Sequence, residues 1–310
     1  MKILITGSTG FIGTNLQEYL KDKMQDVEFY YIVRSKTGKQ KEWGWEELAK
    51  IPKEIDAVIH LAGLAHDTKK SQDDSAYYRV NFELTKNLYD WYLKSKATKF
   101  IYTSSVKAIA DSVDGELTED TPARPLTPYG ISKLKAEKYI QQLSLGMTGK
   151  AFYILRPCMV HGPGNKGNLN LLYKFVSKGI PYPLGAFNNV RSFLSIDNFC
   201  FICKELLTRD VQSGAYNVAD DEPLSTNELV KAIAAVSGAK AKVWNLSPAL
   251  VKSLAKTGDV LKLPLNSERL QKLTENYVVS NKKIKLALGI ASLPVNVRDG
   301  ITKTISSFIS

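Results

Sequence analysis

The stretch TPYGISK places Tyr129 four residues before Lys133. Four residues is just over one helical turn, so a phenol and an ammonium would share one face of a helix. A free phenol, with a pKa near ~10, is a poor base at neutral pH. A neighbouring cation favours the phenolate, which would make Tyr129 a group able to take and return a proton. Tyr-x-x-x-Lys is a common spacing, so its meaning depends on what surrounds it. A second cluster stands near the start of the chain. The run TGSTGFIG carries Gly7, Gly10 and Gly13 at three-residue intervals, directly after the apolar KILIT and opening the helix-like FIGTNLQEYLKDK. Glycines in that place let the backbone approach a pyrophosphate at a helix N-terminus, the chemistry of dinucleotide binding.

The elements that must position these residues alternate. Strand-like apolar runs lie at 2–6, 28–33, 56–63, 99–105 and 151–157, and helical stretches at 76–95 and 129–146. Short apolar runs between helices predict a parallel sheet covered on both faces, a doubly wound (Rossmann) α/β fold. Past about residue 160 the pattern loosens, with Gly, Pro and Asn clusters at 162–168 and 179–189. The expected organisation is an NAD(P)-binding Rossmann domain over 1–162, with a return to the sheet near 192–218, and a smaller mixed α/β substrate-binding part over 163–310. The second strand ends in Val33-Arg34-Ser35-Lys36, where an NAD site usually has a carboxylate for the ribose hydroxyls. Arg34 offers forked donors that suit a ribose 2′-phosphate, so NADP(H) is expected over NAD(H).

Bulk properties narrow the partners. The net charge is +11, but the lysines are spread along 310 residues and no nucleic-acid module is present. Anionic small molecules are the expected partners, and peripheral contact with anionic lipid stays open. No apolar run approaches the ~20 residues of a membrane span, and MKILIT leads straight into a strand, so a cytoplasmic location is expected. Cys158, Cys200 and Cys203 cannot form a disulfide framework. Cys200 and Cys203 form a CxxC inside an apolar helical run without two further ligands, so no metal site is expected. His60, His66 and His161 read as packing or surface residues.

These motifs together resemble the extended short-chain dehydrogenase/reductases that act on nucleotide sugars. The resemblance rests on TGSTGFIG at 6–13, HLAG at 60–63, Asn81 in VNFELTKNL, Ser104-Ser105 and PYGISK at 128–133. It continues through LRPCMVHGPG at 155–164, RSFLSIDN at 191–198 and SNKKIKLALG at 280–289, nearly the whole chain. It implies a catalytic set of Ser105, Tyr129 and Lys133, with the oxidised nicotinamide and Lys133 together lowering the Tyr129 pKa. A fall of about three units corresponds to roughly 4 kcal/mol. It also implies cofactor contacts from Gly7, Thr9, Gly10, Phe11, Ile12, Gly13, Arg34, Leu61, Ala62, Gly63, Tyr129 and Lys133. Asn81 reads as structural or cofactor-supporting.

The same resemblance implies a UDP-sugar substrate held by Ser105, Lys107, Asn168, Arg191 and Arg269, with Pro181–Gly185 lining the base, and a homodimer built on the helices at 76–95 and 129–146. Dehydratases of this family carry an Asp-Glu pair after the catalytic Ser/Thr. Val106 and Lys107 stand there instead and cannot supply the acid. Met159 replaces the family's Asn after the sixth strand, which argues against a simple UDP-glucose 4-epimerase. The expectation is hydride transfer at carbon 4, leaning by Arg34 to a 4-keto sugar reductase of surface-polysaccharide synthesis. A 4-epimerase retaining its cofactor is the alternative, and a non-catalytic NADP-binding sensor a third.

Overall fold

Strand after strand is apolar on both sides because both faces of the sheet are covered. The chain, seen as a computed structural model, is described over residues 1–38, 40–64, 74–165, 168–261 and 266–309. Seven strands form the main sheet: β1 (Lys2–Thr6), β2 (Glu28–Ile32), β3 (Glu42–Trp43), β4 (Ala57–His60), β5 (Lys99–Thr103), β6 (Ala151–Pro157) and β7 (Gly214–Val218). Their order is β7-β6-β5-β4-β1-β2-β3, and every pairing is parallel. Successive side chains point to opposite faces. Ile3, Ile5, Ile59, Ile101 and Leu155 therefore pack on one side with Leu16, Leu20, Phe199 and Ile202. Leu4, Val58, Phe100, Tyr102 and Ile154 pack on the other with Leu88, Tyr92, Ala136 and Ile140. Each of these buried aliphatics contributes about 1.5–3 kcal/mol of transfer free energy. The strand order reverses between β1 and β4, which opens a crevice at the carboxyl ends of the strands.

The return to this sheet is narrower than 192–218. Only Gly214–Val218 joins it; Phe193–Ser195 pairs with Met159–His161 in a separate two-stranded sheet. An apolar run such as FLS states that a strand is buried, not which sheet receives it. A further core, with Leu169, Leu184, Phe193, Leu229, Ile233, Val251 and Ile301, joins helices Thr226–Ser237, Pro248–Leu261 and Val297–Ser306. Cys200 and Cys203 are buried in helix Ile196–Thr208.

Both margins of the main sheet are blunted. β3 is two residues long. Along β7 the Ala215 carbonyl accepts from Lys283 Nζ (3.0 Å), and the Asn217 N–H donates to Glu119 Oε1 (2.8 Å). The long helical stretch is continuous but not uniform: Ser75–Tyr77 and Leu84–Lys94 are α-helical, and Tyr78–Glu83 between them is π-wound. Among the described residues no helix is long and apolar enough to cross a membrane.

Candidate active site

The glycine loop is built so that side chains cannot enter it. Gly7 has φ of +71°, in the left-handed region, and a Cβ there would lie 2.8 Å from the Ala62 nitrogen. A Cβ on Gly13 would lie 2.3 Å from the Gly7 carbonyl oxygen. That carbonyl accepts from the Gly10 N–H (3.1 Å). Helix Phe11–Lys23 then starts at Gly10 with no side-chain cap and no acid in its first turn. Its positive end is left for an anion, with Thr9 and Gly10 exposed. The cradle thus fits the diphosphate of a nicotinamide dinucleotide. Phe11 and Ile12 pack inward beneath it, and Leu61 and Ala62 follow β4 alongside. Gly13→Ala is expected to weaken dinucleotide binding at least about tenfold, as read by titration calorimetry, because the added methyl must displace backbone.

Tyr129 and Lys133 lie on helix Pro128–Leu143. Thr127 caps it by accepting from the Gly130 N–H (3.2 Å), and Pro128 occupies its first turn. A Cβ on Gly130 would meet the Lys107 carbonyl at 2.3 Å, so the helix start is seated on the turn that carries Ser105 and Lys107. Ser105, buried at the end of β5, hydrogen-bonds the Tyr129 phenol. Lys133 Nζ donates to the Thr103 carbonyl (2.9 Å) and lies 4.9 Å from the centre of the Tyr102 ring. It also stands 3.0 Å from where a Cβ on Gly63 would be. The catalytic candidates and the dinucleotide loop therefore meet at one place.

The electrostatics differ from the expectation in one respect. Burial, followed by the Tyr77 ring, raises the Tyr129 pKa, and only the Ser105 hydrogen bond lowers it. Burial takes Lys133 down to about 8, against the opposing pull of Glu137. Without a cofactor the phenol is thus held in its protonated form.

Of the substrate candidates, two converge. Lys107 Nζ donates to the Asp111 carbonyl (2.7 Å) and sits 4.4 Å over the Tyr277 ring. Arg191 bridges Tyr277 through its backbone and pairs with Glu275 (3.4 Å). Asn168 opens helix Asn168–Val176 and Arg269 lies in helix Ser267–Thr274, but both side chains fall outside those described. His66 lies outside the described residues, and His161 is buried against Thr304 (2.9 Å). Arg34 is exposed just past the end of β2.

Residues 3–219 match the NAD dependent epimerase/dehydratase family. The chain belongs to that family. It is 32% identical to the UDP-glucose 4-epimerase of Vibrio cholerae, over 99% of this chain and 95% of that protein. It is 28% identical to the N-acetyl-alpha-D-glucosaminyl-diphospho-ditrans,octacis-undecaprenol 4-epimerase of Escherichia coli O157:H7, over 74% of this chain and 70% of that one. The solved UDP-N-acetylglucosamine 4-epimerase of Bacillus cereus shares the fold, with a TM-score of 0.78, 21% identity and full coverage of both chains. Like others in the epimerase/dehydratase family, this protein is a nucleotide-sugar enzyme of the extended short-chain type.

The structure gives Asn81, read from the sequence as structural or cofactor-supporting, its partners, and it adds contacts that the sequence did not show. Asn81, fully buried in the π-wound turn, accepts from the Leu64 N–H (2.7 Å) and donates to the Leu64 carbonyl (3.2 Å) and Ser132 Oγ (3.1 Å). It thereby ties the segment after β4 to the catalytic helix. A directed chain joins the same parts: Ala62 N–H to Thr6 Oγ1 (3.0 Å), Thr6 to His60 Nδ1 (2.7 Å), His60 Nε2 to Thr85 Oγ1 (2.8 Å), Thr85 to the Asn81 carbonyl (2.8 Å). Each hydroxyl gives one proton and accepts one, which fixes a neutral imidazole with its proton on Nε2. Burial, then the Lys133 charge, hold the His60 pKa at about 3, so this tautomer persists at neutral pH. The apolar setting of HLAG carried no signal of it.

Proposed function

We propose that this protein is a nucleotide-sugar 4-epimerase that keeps its nicotinamide cofactor through the cycle. The convergence of Ser105, Tyr129 and Lys133 at the end of β5, beside Gly63, carries the hydride-transfer reading. The similarity to a UDP-glucose 4-epimerase along 99% of the chain favours epimerisation over net reduction. When bound, the cofactor supplies the hydride acceptor and donor. Ser105 hydrogen-bonds the carbon-4 oxygen, and Tyr129 takes its proton as the carbon–hydrogen bond breaks. Tyr129 returns the proton once the ketone has turned its other face. Lys133 holds the nicotinamide ribose and adds positive charge. Arg191, with Asn168 and Arg269, would grip a UDP diphosphate, and Lys107 would face the substrate. The active protein in this reading is a cytoplasmic homodimer.

Reduction of a 4-keto sugar by NADPH is the second reading, and Arg34 supports it, because no carboxylate stands on Val33–Lys36 to select NAD. The assay is direct. With UDP-N-acetylglucosamine, the 4-epimer should form with no change in nicotinamide absorbance. Stoichiometric NADPH loss with a 4-keto-6-deoxy UDP-N-acetylhexosamine, and no epimerisation, would replace the first reading by the second.

A further inference from the structure

Three consecutive residues at the end of β5 hold three residues stacked along one face of the catalytic helix. The Thr103 carbonyl accepts from Lys133 (2.9 Å), the Ser104 hydroxyl donates to Glu137 Oε1 (2.5 Å), and Ser105 bonds Tyr129. Tyr129, Lys133 and Glu137 are spaced i, i+4, i+8, so each is one turn from the next. The third rung takes no part in the proposed chemistry, yet it is the most elaborate. Glu137 is fully buried and receives Arg156 Nε at 3.1 and 3.0 Å and Nη2 at 2.6 Å. Arg156, itself 6% exposed, reaches it from β6, so one carboxylate joins helix, β5 and β6.

We propose that Glu137, braced by Arg156, is a positioning residue that keeps Lys133 charged and seated beside the dinucleotide loop. A buried ammonium whose hydrogen bond goes to a neutral carbonyl needs a counter-charge to stay protonated. Among the described residues the groups facing it are few. The Tyr102 ring comes from β5 and the neutral His60 from β4, while Tyr129 and Glu137 come from its own helix. Glu137 is the anion in this set. Arg156 lies beyond it on β6, and Glu119 beyond Arg156. Arg156 holds the carboxylate aimed through its three hydrogen bonds, at the cost of part of its field.

The test is the titration of Lys133 itself, followed by NMR of lysine labelled with ¹⁵N at Nζ and assigned by its loss in Lys133→Met. This needs no turnover, so it stands or falls separately from the proposed epimerisation on which the role of Lys133 rests. Glu137→Gln should lower the midpoint by about one pH unit, and Arg156→Gln, which leaves the carboxylate uncompensated, should raise it. A merely structural pair would move both variants alike or not at all, and that result would overturn the proposal. If either single variant fails to fold, Glu137→Met with Arg156→Met removes the buried pair in a form interiors tolerate. Its Lys133 midpoint must fall, since the nearer charge is the anion; an unchanged midpoint also overturns the proposal. In turnover assays the alkaline limb of kcat should follow the same signs, with KM for the sugar nucleotide unmoved.

Discussion

Tyr129→Phe is expected to lower kcat for epimerisation by about 10²- to 10⁴-fold, with a far smaller change in cofactor affinity. The ring keeps its place, edge-on to Tyr77 at 6.2 Å between centroids, so only the proton carrier is removed. The effect should lie in kcat rather than KM, since the phenol proton moves only as the hydride moves. Stopped-flow reduction of bound cofactor by the sugar nucleotide would separate this step from release. Near-normal turnover in the variant would remove Tyr129 from the mechanism. The pH dependence carries a second expectation. Burial raises the phenol's pKa in the protein alone. Tyrosinate should therefore appear at lower pH with oxidised cofactor bound than with reduced cofactor, a difference readable in the ultraviolet spectrum.

Lys133→Met is expected to do two opposite things: abolish most turnover and stabilise the fold. Burial brings the ammonium down to about 8, so the folded protein holds that charge at a disadvantage relative to the unfolded chain. Below pH 8 both states carry the proton and the full penalty is felt. Between about pH 8 and 10.5 the folded state loses its proton first, so stability rises with pH across that window. Methionine removes the charge and leaves the Thr103 carbonyl without its donor. The net gain at pH 7 should be roughly 2 kcal/mol, shrinking toward pH 10.5. Chemical denaturation of both proteins at two pH values checks it, and a variant less stable at both would contradict the account. A destabilising charge retained inside a protein is the mark of a functional site.

How far the sequence could be read follows from how local each signal is. The Tyr129–Lys133 spacing and the Gly7, Gly10 and Gly13 pattern each lie within one turn or loop, and the structure brings them together. The parallel sheet was equally legible, since β1, β4 and β6 are short apolar runs between helices. What escaped joins distant parts of the chain. Ser104 and Glu137 are 33 residues apart, Glu137 and Arg156 19, and Thr6 and His60 54. No residue in these pairs looks unusual beside its neighbours. The burial that raises the Tyr129 pKa in the chain without cofactor escaped for a related reason: spacing shows that a cation can be near, but only packing shows how dry the site is.

The side chains along β7 bear on how the protein behaves in a crowded solution. Lys283 and Glu119 occupy two of the outward backbone groups, the Ala215 carbonyl and the Asn217 N–H, where a neighbouring chain would begin to zip on. They are a pair of stoppers of opposite sign, one cationic and one anionic, each making the hydrogen bond a further strand would need. At the opposite margin, β3 offers too short a ribbon to template anything. A molecule with seven parallel strands could otherwise extend itself indefinitely, copy upon copy, into fibres. Two side chains from outside the sheet, one of them on helix Lys282–Leu288, close that route at β7.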